Sequence, residues 1–417
     1  MKVDDTTYEV ALRDGAKFSD GSDVTVDDVV FSFERVLDPA NNSLYSQFLT
    51  FLDSVKAKDD ATVTIKTKHP YSLVAERLST VKIVPRAAVE ADAKAFDMIP
   101  IGSGPYKMTD NSAASQTVVF ERNDNYNGSH PALAKKMTWQ VLADDTTRTN
   151  AITSSTVQAI DTVPATNLGA MTEPVSVSAD KGFSLVFVMF NHQGAFADVK
   201  ARQAIMYALD YEKICSTGMG TLATAATCFV QEDHPAYRKA STVYTYDVDK
   251  AKSLLAEAGA DGLALSAQVR SQDQDLMVAL QDAWSKIGVS CDVQVIDNGV
   301  WSESRKNGTL QVTLVTWSTL CFQGIEHMGS YFRSDRAAAK SSFYESTVFD
   351  ALVDEARQTT DGDSAIANLA KQADKQLVRI DYACLPVCWP QMPYALKSDF
   401  KGLQVLVNPL FRKVTKG

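Results

Sequence analysis

Nothing in the 417-residue sequence approaches the run of about 18 apolar residues that a membrane span requires. There is also no excess of positive charge: 41 Lys and Arg stand against 51 Asp and Glu, a net charge of −10. That balance opposes a polyphosphate partner, and no basic cluster overrides it, so nucleic-acid binding is excluded. Cysteine is scarce, six in all, and no two are spaced as CxxC, which removes the usual zinc and thioredoxin-like readings. The five histidines (His69, His130, His192, His234, His327) are isolated, with no HExxH or similar ligand spacing, so no metal and no cofactor is expected. A phosphate loop is missing, Gly102-Ser103-Gly104 lacks the spacing of a nucleophile elbow, and Gly218-Met219-Gly220 lacks the third glycine of a dinucleotide loop. Met1–Asp5 does not lead into the apolar core of an export signal, and a signal removed ahead of Met1 would leave no trace.

What is present is an ordinary folding composition, 45% hydrophobic and 22% charged, over a length that suits two or three domains. Thr7 to Arg13 alternates as a strand. Thr25 then introduces Val26-Asp27-Asp28 and the apolar series Val29, Val30, Phe33, Val36 and Leu37, a capped helix stopped by Asp38-Pro39. Strands are expected at 61–68, 117–121, 136–142, 263–269, 290–296 and 311–317, with helices at 71–78, 146–154, 247–258, 277–287, 346–359 and 365–380. Asp198 to Ile214 carries one helical period. Phe183 to Phe190 is almost uninterrupted in apolar residues, as in a strand covered on both faces. The alternation of strand and helix implies α/β units.

Among the cysteines, Cys215 and Cys228 flank the flexible Gly218-Met219-Gly220 segment, so a disulfide between them and two free thiols both fit the sequence; the bond would imply an oxidising compartment. Cys384 and Cys388 lie in a strand-like run that holds them too far apart to pair. The acidic pairs Asp27-Asp28 and Asp144-Asp145 begin helices, where the helix dipole accounts for them without catalysis.

Several segments taken in order are more informative. Leu12-Arg13-Asp14-Gly15 through Phe18-Ser19-Asp20-Gly21 to Thr25, Asp28, Val29 and Ser32 resembles the LRDGxxFxDGxxxTxxDVxxS signature of family 5 extracytoplasmic solute-binding proteins, the peptide and nickel receptors of ABC importers. Gly102-Ser103-Gly104-Pro105-Tyr106 looks like that family's G[TS]GPY turn, and Glu121-Arg122-Asn123 with Tyr126 like its ERNxxY segment. Phe190-Asn191 followed by Asp198-Val199-Lys200-Ala201-Arg202-Gln203-Ala204-Ile205 to Asp210 is similar to its N...DVRxRQAIxYAID helix, and Phe400-Lys401-Gly402 to its final crossing segment. These motifs read physically as turns, helix starts and anchors, so they speak for the fold rather than the ligand.

The resemblance implies an α/β fold, two-lobed and periplasmic-binding-protein-like (type II, cluster C-like), with an extra small α+β domain. Residues 1–99 would be that extra domain, N-terminally truncated, 100–184 plus 391–417 a partial first lobe, and 185–390 the second lobe. It further implies an extracytoplasmic monomer, lipid-anchored in some precursors, that captures a short peptide or other small organic solute and passes it to an ABC permease in the membrane without breaking a bond. Nickel chelates, haem and sugars are the alternative ligands. A peptidase on the same architecture finds no nucleophile and base in the sequence. Only eleven residues precede Leu12, where family members carry a considerable stretch, so the first lobe reads as truncated: either the chain is a fragment or the missing strands come from a separate piece, and an unpaired sheet edge with exposed apolar surface would otherwise follow.

From where that fold places its cleft, the ligand-binding candidates are Phe190, Asn191 and His192 at the end of a core strand, and Trp317, Ser318, Thr319 and Phe322 on the facing lobe. In oligopeptide-binding relatives a Trp-x-x-Asp segment supplies the carboxylate for the peptide α-amino group. Here Trp317-Ser318-Thr319 leads to Leu320, so either another acid such as Glu326 substitutes or the ligand has no free amino terminus there.

Overall fold

The computed structural model describes residues 2–163, 165–181, 184–238, 245–318, 324–403 and 415–416. They divide into two compact units, one made of 1–178 with 394–417 and the other of 179–393.

Unit 1 starts with a three-stranded antiparallel sheet of β1 (Thr7–Ala11), β2 (Leu52–Asp59) and β3 (Thr62–Thr67), in the order β1-β3-β2. The helix Val26–Leu37 begins as the sequence predicts: Thr25 Oγ1 accepts from Asp28 N, and the Asp28 carboxylate accepts from Thr25 N at 2.9 Å, a closed capping box. A second antiparallel sheet follows, β4 (Tyr106–Ser112), β5 (Thr117–Arg122) and β6 (Lys136–Gln140). The segments that carry the family resemblance meet here. Arg13 Nε donates to Asn127 Oδ1 (2.8 Å), Asn127 Nδ2 to the Asp14 carbonyl (2.8 Å), Ser19 N to the Gly102 carbonyl (2.9 Å), and buried Asn123 donates through Nδ2 to Gly104 O (2.8 Å). Those motifs therefore tie turns together, which is why they mark the fold. A small cluster of Ile152, Ile160, Val163, Val175 and Ala395 gathers around β7 (Ala159–Ile160), β8 (Val175–Lys181) and the end of the long strand β14 (Cys384–Lys397).

Unit 2 is built on a mixed sheet. Besides β14 it contains β9 (Ser184–Phe190), β10 (Ala223–Ala225), β11 (Ala264–Val269), β12 (Ser290–Val295) and β13 (Val312–Ser318), in the order β10-β14-β9-β13-β11-β12. All seven residues of β9 are buried, as the unbroken apolar run predicts, and their alternation divides the interior in two. Val186, Val188 and Phe190 join one core with Val312, Leu314 and Trp284; Leu185, Phe187 and Met189 join a second on the opposite face with Tyr331, Phe332 and Phe349.

Two expectations change. The single helix over 198–214 is two helices, Val199–Tyr207 and Tyr211–Met219, because Asp210 turns its carboxylate onto Lys213 N (3.2 Å) and caps a new start. Cys215 belongs to the first core and Cys228 to the second, so the sheet lies between them and a Cys215–Cys228 bond is excluded in this fold; both are free, buried thiols. Cys384 and Cys388 are unpaired with each other, as expected.

Candidate functional site

The five candidate residues among the described ones do not converge. In unit 2, β9 and β13 run antiparallel with Phe190 opposite Val312 and Ser184 opposite Ser318. Phe190, Asn191 and His192 therefore occupy one end of the sheet, and Trp317 and Ser318 the other, six residues and roughly 20 Å apart at about 3.3 Å per residue. Both groups belong to the same unit, so the expectation that they face one another from different lobes is not met. Thr319 and Phe322 lie outside the described residues.

At the first end, the groups are engaged in local structure. Phe190 is fully buried with its ring 5.0 Å from Phe196. Asn191 donates from Nδ2 to Gly308 O (3.1 Å) and accepts at Oδ1 from Gln193 N (3.1 Å), stapling the loop that follows β9. The His192 ring nitrogen Nε2 is 3.0 Å from the Ala383 carbonyl, an acceptor, so Nε2 carries the proton. Burial lowers its pKa to about 4, and the nearby Arg202 guanidinium acts in the same direction. Arg202 is the hub of this end: it donates from Nε to Tyr382 O (3.1 Å), from Nη2 to Asp381 O (2.9 Å), and from Nη1 to Ala197 O (3.2 Å) and Phe196 O. Asp381 in turn accepts from Tyr344 Oη and Gln376 Nε2, each at 2.7 Å.

The opposite end adjoins both places where the chain passes between units, 178/179 just before β9 and 393/394 near the end of β14. Here Trp317 is half-buried, donates from Nε1 to His327 O (2.9 Å), and meets Tyr331 edge to face at 4.8 Å. Ser318 and Ser184 share a hydroxyl–hydroxyl bond, and Gln231 Nε2 reaches the Ser184 carbonyl at 3.3 Å. Trp389 of β14 follows Cys388, which lies opposite Val186, and its buried Nε1–H finds no acceptor among the described residues. His327 is buried against Phe229 at 5.0 Å, and that burial lowers its pKa to about 3. Ser184, Gln231 and Trp389 carry no motif. Strand register places Ser184 and Trp389 at this end of the sheet, and Gln231 comes in from the loop after β10 through its bond to Ser184.

Glu326 is fully buried, and its two carboxylate oxygens accept from Arg357 Nε (2.6 Å) and Nη2 (3.2 Å). That bidentate pair commits the acid to unit 2's own packing and withdraws it as the substitute partner for a peptide amino group. Among the described residues no three His, Cys, Asp or Glu side chains stand close enough to hold a metal ion, and no helix is long and apolar enough to cross a membrane.

The low histidine pKa values fix a pH response. Both rings are neutral in the fold, whereas in the unfolded chain they protonate near the ordinary value of about 6.5. The unfolded state binds more protons below that pH, so stability falls from pH 6.5 through about 4 for His192 and about 3 for His327. Urea melts at pH 7.5 and 5.0 should show the lower midpoint at pH 5.0, and His192→Gln, which keeps a donor for Ala383 O, should reduce the difference. Equal midpoints in the unaltered protein would contradict the assignment.

The sheets, their order and the two-unit division define a two-lobed α/β binding-protein fold. The substrate-binding protein CtaP of an ABC transporter from Listeria monocytogenes superposes with a TM-score of 0.88 at 24% identity, covering 100% of this chain and 89% of that one. DppA from Helicobacter pylori, an ABC transporter-associated periplasmic binding protein solved with the peptide STSA, gives 0.85 at 19% identity over 100% and 87%. In sequence, the glutathione-binding protein GsiB of Escherichia coli K12 is 26% identical over 411 residues, 94% of this chain and 77% of GsiB. Residues 1–338 match the model of the bacterial extracellular solute-binding proteins, family 5, and the chain belongs to that family. It is accordingly an extracytoplasmic binding protein and not an enzyme.

Proposed function

We propose that this chain captures a short peptide in a cleft between its lobes and delivers it intact to an ABC import permease. The observation that carries the reading is the match to the family 5 model over 1–338, together with a fold shared with a relative solved holding the peptide STSA. In this reading residues 1–99 form the added small domain, 100–184 with 391–417 part of the first lobe, and 185–390 the second. The chain acts as a monomer, anchored through lipid in a longer precursor.

Within unit 2 we place the ligand at the Trp317 and Ser318 end of the sheet, beside both chain crossings, with Thr319 and Phe322 following in sequence. Aromatic surface and a few polar groups suit a peptide whose backbone is hydrogen-bonded and whose side chains are loosely housed. Asn191 and His192, already engaged at the far end, act there as scaffold. Titration calorimetry against a peptide library, with small-angle scattering, tests this: one peptide per chain, compaction on binding, and a tenfold or larger loss for Trp317→Ala. Cleaved peptide in the mixture would overturn the receptor reading, and saturable binding without compaction would overturn closure.

Because Leu320 replaces the expected acid and Glu326 is held by Arg357, we infer that neither position supplies a dedicated partner for the amino-terminal charge of the ligand. Acetylating the α-amino group of a bound peptide is expected to leave its affinity within about threefold, whereas a buried, lost ion pair would cost far more. A hundredfold loss would return the search to an acid on the other lobe.

A further inference from the structure

Cys215 and Cys388 are far apart in sequence and adjacent in the fold. Cys215 lies on the helix Tyr211–Met219, and Cys388 on β14 directly opposite Ala225 of β10. Opposed residues of an antiparallel pair send their side chains to the same face. Ala225 lines, together with Cys215, Glu212 and Ser216, an open depression of about 360 Å³, so Cys215, Ala225 and Cys388 share that face. Both cysteines belong to the first core of unit 2.

A β-bulge is responsible. The register of β14 against β9 shifts between Pro386 and Cys388, which sets Val387 and Cys388 both toward the first core while Cys384 and Trp389 remain in the second. Without that extra residue, strict alternation would turn Cys388 away from Cys215. The two thiols act on one another: the Cys215 pKa is lowered chiefly by its neighbour Cys388, and the Cys388 pKa is raised chiefly by Cys215.

We propose that Cys215 and Cys388 form a disulfide once the chain is in its extracytoplasmic compartment, clipping the helix Tyr211–Met219 to the strand that returns the chain to unit 1. The oxidant is a disulfide of another thiol compound or oxidoreductase. The Cys215 thiolate, at the wall of the depression, attacks one sulfur of that disulfide and expels the first thiolate, leaving a mixed disulfide. Cys388 then attacks the Cys215 sulfur and expels the second thiolate. The protein thiols give up two electrons and two protons, and the incoming disulfide leaves as two thiols. Cys228, whose Sγ donates to Val230 O at 3.2 Å, and Cys291 take no part.

The test needs no ligand, so its failure is separate from that of the peptide reading. The folded chain is equilibrated with oxidised glutathione, free thiols are alkylated, and tryptic peptides are mapped without reductant. Peptides 214–238 and 380–397 each hold two cysteines, so fragmentation must assign the bond. A Cys215–Cys388 bridge is expected, with a fall in Tm of roughly 5–10 °C on reduction that the Cys388→Ala variant does not show. Recovery of both residues as alkylated thiols, or a bridge from Cys215 to Cys228, would overturn the proposal.

Discussion

Replacing Arg202 by Ala is expected to lower the stability of unit 2 by about 3–5 kcal/mol, the largest effect of any single substitution in the helix Val199–Tyr207. The guanidinium is buried and its donors serve carbonyls of Phe196, Ala197, Asp381 and Tyr382. Removing it leaves four backbone acceptors in a place that water does not easily reach, and it also releases the 381–382 turn that precedes β14. Desolvation holds the Arg202 pKa below its usual value without discharging it, so the charge must be met by these dipoles. Lysine cannot reproduce the fork, so Arg202→Lys should recover little of the loss. Thermal unfolding followed by circular dichroism should show a drop of roughly 10 °C for the alanine variant. A change below about 2 °C would mean that the turn is held by the Asp381 contacts to Tyr344 and Gln376 instead.

The buried pair of Glu326 and Arg357 should behave differently. Glu326→Ala alone takes the bidentate carboxylate away from a guanidinium whose side chain is only 12% exposed, and a loss of about 3–5 kcal/mol is expected. The double change Glu326→Met with Arg357→Leu removes both charges and fills the space with apolar atoms, so it should recover most of that loss. The same double variant discriminates packing from ligand recognition, because a scaffold role predicts peptide affinity within about threefold of the unaltered chain. A stable double variant that no longer binds peptide would make Glu326 a ligand contact after all. Denaturant melts and calorimetry on the three variants supply both readings.

These two arginines show how unevenly the sequence discloses its chemistry. Arg202 stands inside a segment that resembles the family's helix, and an anchoring role could be read from that segment. Its four carbonyl partners could not, since two of them lie about 180 residues away. Arg357 lies on an amphipathic helix like any surface arginine, and only the approach of the helix Gly324–Phe332 gives it Glu326. The candidate site divides in the same way. Trp317 was legible as an aromatic at a strand end, but Ser184, Gln231 and Trp389 were not, because what joins them is strand register and one loop-to-strand hydrogen bond rather than sequence distance.

Local structure was written in the chain. The capping box at Thr25, the two-faced strand at 184–190 and the α/β alternation each follow from contacts within a few residues, where composition and spacing act directly. The family motifs were equally plain, because the turns they build tolerate few residue types. What only the tertiary structure decided is everything that depends on one residue of register or on one helix break. The antiparallel pairing of β9 with β13 sends the predicted site residues to opposite ends of a sheet, and the bulge in β14 turns Cys388 toward Cys215 instead of leaving Cys228 as its rival. Pairings of this kind are fixed by packing summed over distant segments, and no local stretch of sequence contains that sum.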